Sequence, residues 1–281
     1  MSNETKKFQE EVEEKMTKFF NIKFNQIKND DVELFKELEE YYKDEYSFIK
    51  GKYKKKRTRY FSKEYKIKNV LLQAISEPKT RYTSDDFNNN GIDKKSIYSP
   101  RIDISFSPVI KKSKGKNESI GVYKLTERTC LFNLLYQLEF VKKIKEKIRN
   151  KSNENFRNKE LDFCEASIQK YENIRPLHLF GIEIENQKNS KHLMGDFLNS
   201  LSLSKIPIVV VPEDKFDNLI KMLKFCSIIS DVKKIPIYEL LTTVSVLKVS
   251  QFRSILNELL ENEGIPYLTD NFDKNGTSYN M

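Results

Sequence analysis

Long apolar runs are missing from this chain of 281 residues. No stretch approaches the roughly 18–20 consecutive apolar residues that span a bilayer, and the charged opening from Met1 to Lys18 is no secretory signal. A cytoplasmic location with no membrane partner is therefore expected. Cysteine is scarce as well. Cys130, Cys164 and Cys226 are odd in number, far apart, and each beside aromatic or aliphatic residues. That spacing excludes a zinc site and reads as buried, reduced thiols. No glycine-rich phosphate loop, Ser/Cys/His nucleophile arrangement or internal repeat is visible.

What is present is charge and aromatic bulk. Charged residues make up 32% and mean hydropathy is −0.64, yet 38% hydrophobic residues with 19 Phe and 14 Tyr argue against global disorder. A net charge of +9 favours a polyanionic partner, nucleic acid first and a membrane surface second. The most basic run is Lys50-Gly51-Lys52-Tyr53-Lys54-Lys55-Lys56-Arg57-Thr58-Arg59-Tyr60. Its Lys52, Lys54, Lys55, Lys56, Arg57 and Arg59 can neutralise phosphates while the tyrosines stack, and such binding weakens steeply with salt. A solvated loop is the plainer reading of the same run.

Residues 4–20 place Phe8, Val12, Met16, Phe19 and Phe20 at helical spacing, and a second amphipathic helix carries Val32, Phe35, Leu38, Tyr42 and Phe48 to about Lys50. A helix over roughly 63–76, ended by Pro78, is expected next, then turn chemistry over 85–93. Beyond a strand that holds Asp103, a basic loop over 111–116 contributes Lys112 and Lys114, and a short strand covers 119–124. Thr126 then caps one long helix that buries Leu131, Leu134, Leu135, Leu138 and Val141. Residues 151–159 read as a polar linker and 161–171 as a further helix. Strand 177–185, a helix from Ser190 to Leu203, strand 206–211 and helix 214–225 then alternate, which implies parallel pairing through right-handed crossovers. Residues 235–247 fit strand or helix, 250–260 a helix, and 262–281 a polar tail.

The chemistry concentrates in Phe180-Gly181-Ile182-Glu183-Ile184-Glu185-Asn186-Gln187 and in Pro100-Arg101-Ile102-Asp103-Ile104-Ser105. On a strand, Glu183 and Glu185 share one face while Ile182 and Ile184 enter a core on the other, and Asp103 alternates with Ile102 and Ile104 in the same way. Buried carboxylates are costly unless paired, hydrogen-bonded or bound to a cation, and neighbours repel one another. If the two strands adjoin, three carboxylates converge, and hard oxygen ligands of that kind suit Mg²⁺ or Mn²⁺. An exposed edge or a set of salt-bridged acids is the alternative. His178 reads as a core or interface histidine, His192 as exposed in the first helical turn, and Asp196 and Asn199 as helix packing.

On these residues the chain resembles the PD-(D/E)XK nuclease superfamily, the restriction-endonuclease-like fold. Asp103 matches the first acid, Glu183 the second, Ile184 the apolar spacer, and Glu185 stands at the lysine position. The helix from Ser190 and the strand 206–211 follow in the family's order, so the resemblance covers about 97–225. Two departures stand out. Glutamate replaces lysine, with Lys188 or Lys191 as candidates for a migrated lysine, and about 80 residues separate Asp103 from Glu183, which requires an insertion.

The resemblance implies a mixed α/β (α+β) fold, a central mixed sheet flanked by helices. The chain as a whole is expected to divide into a helical region 1–62, a core 63–230 with a helical insertion at about 126–175, and an extension 231–281, the resemblance itself reaching neither terminus. It implies a Mg²⁺-dependent deoxyribonuclease of the restriction type, with Mn²⁺ as substitute. Asp103 and Glu183 would hold metal, Glu185 would be a ligand or water activator, and Lys188 or Lys191 would offset phosphate charge. Double-stranded DNA is the implied partner and a homodimer the implied assembly. A non-catalytic DNA-binding or regulatory module on the same fold is the alternative from another class.

Overall fold

The computed structural model describes residues 3–53, 71–78, 101–111, 119–121, 130–161, 165–174, 176–185 and 190–269. Two helices, α1 (Asn3–Asp30) and α2 (Val32–Tyr53), precede the strands β1 (Leu71–Ser76), β2 (Ile104–Lys111) and β3 (Ser119–Gly121). Helices α3 (Cys130–Gln137), α4 (Glu139–Arg157) and α5 (Glu165–Lys170) lead to β4 (His178–Ile184), α6 (Ser190–Leu203) and β5 (Ser204–Val211). A 3-10 turn at Glu213–Lys215 opens into α7 (Phe216–Lys233), followed by α8 (Ile237–Leu241), β6 (Ser245–Lys248) and α9 (Val249–Glu261).

These strands form one mixed sheet in the order β1-β2-β4-β5-β6, with β3 pairing β2. β2 runs antiparallel to β1, β3 and β4, whereas β4, β5 and β6 are parallel. Alternation along β5 explains the two layers around it. Ile206, Ile208 and Val210 join a cluster with Phe20, Phe106 and Phe252, while Val209 and Val211 join a second cluster with Phe197 of α6 and Leu219 and Leu223 of α7. The mixed α/β class is therefore the architecture of the chain. Among the described residues no helix is long and apolar enough to cross a membrane.

Both edges of this sheet are sealed by helix side chains. At β1, Thr17 Oγ1 of α1 accepts the Ala74 N–H at 3.2 Å, and Glu13 Oε2 accepts the Ser76 hydroxyl at 2.8 Å. At β6, Ser152 Oγ of α4 accepts the Val246 N–H at 2.8 Å while Asn155 Nδ2 donates to the Val246 carbonyl at 3.0 Å. An open strand edge is a template for pairing with another chain, so these contacts satisfy the backbone and close that route.

Several expectations change. Residues 71–76 form the edge strand β1 rather than the end of a helix, since Leu72 and Ala74 are buried with strand spacing, not helical spacing. The expected long helix breaks at Leu138, whose φ of −58° and ψ of 135° are extended, and 151–157 continue α4 instead of linking. The polar residues there are the ones that bind β6. Of the helix expected over 161–171, the described residues show α5, with Leu161 and Tyr171 outside it, and the helix expected to end at 225 runs on to Lys233. Residues 262–269 do not trail away: Ile265 and Leu268 are buried, and Thr269 Oγ1 donates to Glu11 Oε2 at 2.8 Å. The ambiguous stretch resolves into α8 and β6. Cys226 is buried as expected, Cys130 is exposed, and Cys164 lies outside the described residues.

Candidate active site

The acids gather where the central strands change direction of pairing. β2 and β4 are in register from Phe106↔Phe180 to Ile104↔Ile182, which sets Asp103, the residue before β2, opposite Glu183. There the backbone ladder gives way to side chains. The Ile184 N–H donates to Asp103 Oδ2 at 2.8 Å, and the Asp103 N–H donates to Glu183 Oε2 at 3.3 Å. Each carboxylate is thus tied down by the other strand's main chain, which fixes its position without help from a flexible side chain.

Glu183 is paired to Val209 of β5, so it shares the sheet face covered by α6, where Leu193 and Phe197 pack. From the next turn of α6, Asp196 hydrogen-bonds Glu185, and the Asn199 side chain approaches Glu183. Glu183 and Glu185 are 3% and 5% exposed. Asp196 and Asn199 therefore belong to the acid cluster and are not mere helix packing. The signal that finds Asp196 is its distance along the chain: it follows the strand acids by the length of a short loop and two helical turns, which returns the helix to the strand end.

Burial is the first cause of the electrostatics here. Desolvation pushes the Asp103 carboxyl up to about 6, against the Ile184 hydrogen bond and with help from the charges of Glu77 and Glu185. It holds Glu183 well above the usual carboxylate range, reinforced by Asp103 and Asp196. Asp196 is raised to about 9 by burial and then by its hydrogen bond and repulsion with Glu185. Glu77 adds a fifth acid: its backbone sits in the left-handed region at φ 44°, and its N–H donates to the Asp103 carbonyl at 2.8 Å.

Glycine is required nearby. A Cβ at Gly181 would lie 1.7 Å from Ser204 Oγ, so β4 and β5 approach here only because position 181 has no side chain. Ser200 of α6 clamps the same place, with its hydroxyl accepting the Ile208 N–H and donating to the Gly181 carbonyl, both at 2.9 Å.

Whether the residues suit a divalent ion is tested by Glu183 Oε1. That oxygen is buried and accepts no hydrogen bond from the described residues, an unpaired acceptor of the kind that a water or an ion satisfies. Among the described residues, no three or more acid, histidine or cysteine side chains are disposed to grip an ion by themselves. Mg²⁺ needs no such cage: one or two carboxylates commonly hold it, with water and substrate phosphate completing the shell. The donor chemistry fits.

Of the other predicted residues, His178 is wholly buried, bonded to Ser107 at 2.9 Å, and kept neutral because burial lowers it to about 3. His192 is exposed. Lys54, Lys55, Lys56, Arg57, Arg59, Lys112, Lys114 and Lys188, with Asn186 and Gln187, lie outside the described residues. Lys52 falls on α2 and Lys191 on the first turn of α6. A groove of about 510 Å³ between α1, Leu138 and α9 contains none of the acids. It is lined by Phe19, Ile27, Leu34 and Leu259 and is set apart from this chemistry. No family model, curated protein or solved structure matches the chain.

Proposed function

We propose that the chain is a divalent-metal-dependent endonuclease acting on double-stranded DNA, built on the restriction-endonuclease-like arrangement of a mixed sheet. The observation that carries this reading is the convergence of Asp103 and Glu183, each carboxylate held by the opposing strand's backbone, with Glu185 and Asp196 beside them. Asp103 and Glu183 would bind Mg²⁺ or Mn²⁺. The ion would polarise the scissile phosphate and lower the pKa of an attacking water.

The chain's own groups divide the remaining work. The backbone amides of Asp103 and Ile184 keep the two ligands oriented before any ion arrives, which is the preorganisation electrostatic catalysis depends on. Glu185, hydrogen-bonded to Asp196, can accept the proton the water loses. The net charge of +9 and the lysine-rich run around Lys52 to Arg59 supply attraction for phosphates, with Lys188 or Lys191 nearest the acids in sequence. Cutting both strands takes two such sites, which a homodimer would provide.

The test is supercoiled plasmid incubated with the purified chain, without metal, then with Mg²⁺ or Mn²⁺. Nicked and linear products are expected only with metal, and Glu183→Gln should abolish them while leaving a mobility shift with DNA. Cleavage unchanged in Glu183→Gln would refute this site. Salt-sensitive binding with no metal-stimulated nicking would instead favour the non-catalytic DNA-binding module.

A further inference from the structure

Four large apolar side chains remain exposed along the outer face of α7 and the turn beyond it: Phe225, Ile228, Val232 and Ile235, at 62%, 61%, 68% and 48%. Phe225, Ile228 and Val232, at intervals of three and four residues, form a single line on the helix, and Ile235 follows the left-handed Lys234 that ends it. The inner face of the same helix is already used, with Leu219, Leu223 and Cys226 in the second core cluster. Scattered exposed apolar residues are ordinary, whereas a continuous row marks a surface that another molecule covers.

The charges beside the seam say which molecule. Lys224 precedes Phe225 and Asp231 precedes Val232, both exposed and both on the same flank. The other flank, at Met222 and Ile229, turns toward the body of the protein. Two copies of this helix crossing antiparallel near Ile228 would set each Lys224 against the partner's Asp231, once on either side of the two-fold axis. These two positions are complementary to themselves across the axis, and the exposed Lys221, one turn before Phe225, ends the apolar row with a charge.

We propose that α7 is a self-association face on which a second copy of the chain docks antiparallel through Phe225, Ile228 and Val232. This inference does not rest on the nuclease reading. The row from Phe225 to Val232 is only about 10 Å long, and a seam of that length buries less than a standard interface of about 1,600 Å². The dimer is therefore a weak one.

Sedimentation equilibrium of the full chain, from micromolar to several hundred micromolar protein, should show a monomer–dimer equilibrium. Ile228→Arg, which sets like charges face to face near the axis, should leave only monomer. Lys224→Glu and Asp231→Lys should each weaken the dimer about tenfold, and the double exchange Lys224→Glu/Asp231→Lys should restore it. All three positions are exposed, and thermal melts check that each variant is folded. A wild-type chain that stays monomeric throughout overturns the proposal, as does a dimer that survives Ile228→Arg. So does a double exchange that fails to rescue.

Discussion

Asp103 and Glu183 lie 80 residues apart in the chain and face each other across two antiparallel strands, the Asp103 N–H donating to Glu183 Oε2 at 3.3 Å. The Asp103 carboxylate in turn accepts the N–H of Ile184 at 2.8 Å. Two acids that repel one another are thus kept at close quarters by main-chain groups, an arrangement that costs stability for as long as nothing neutralises them.

That cost has a definite pH dependence. Asp103 titrates at about 6 in the folded chain against an ordinary 3.8, so folding takes up a proton. Its stabilising contribution is complete below about pH 4 and is lost as pH rises through 6. The melting temperature of Asp103→Asn relative to wild type should therefore climb between pH 4 and pH 7. Added MgCl₂ or MnCl₂ should raise the wild-type melting temperature more at pH 8 than at pH 5. A difference that stays flat with pH would contradict the burial argument.

Glu183 makes the same point more strongly, being buried beside Asp103 and Asp196. Glu183→Gln keeps the shape and removes the ionisable group. The variant should melt higher than the metal-free wild type at pH 8, with each ~1 kcal/mol regained adding roughly 2–4 °C. Calorimetry on both proteins with a chelator present decides it, and a lower melting temperature would mean the carboxylate is already neutralised.

For Asp196 the expected effect lies in the rate, not the fold. Asp196→Asn removes the carboxyl that hydrogen-bonds Glu185, so metal-dependent cleavage should fall by about 10²-fold. The limb of the pH–rate profile that reports the raised Asp196 carboxyl should vanish with it. A full profile with unchanged shape would return Asp196 to a packing role.

The close approach of β4 to β5 is tested at Gly181. Gly181→Ala forces a methyl to within 1.7 Å of Ser204 Oγ and 2.9 Å of its Cβ, which should cost about 1–3 kcal/mol. Urea midpoints measure that loss. Pairing the change with Ser204→Gly removes both clashing atoms and should recover most of it; no recovery would place the strain in the backbone instead.

Much of this was legible in one dimension. The alternation Ile182, Glu183, Ile184, Glu185 marks a strand with acids on one side, and the β-branched run to Val211 marks a strand covered on both faces, because side-chain direction follows the backbone period. Leu193 and Phe197 likewise announce the helix that covers them. Leu71 to Ser76 misleads for a physical reason: its apolar residues suit a helix face as well as a strand, and pairing with β2 decides for the strand.

Local order of apolar and acidic residues thus suffices for the strand that bears Glu183 and Glu185 and for the helix that follows, since both periods are properties of neighbouring residues. It does not say that Ser152 and Asn155 are buried, or that Thr17 closes the edge at Ala74. Those outcomes depend on partners 57, 91 and 94 positions away, for a polar side chain reads as solvent-facing until the backbone group that needs it is brought alongside.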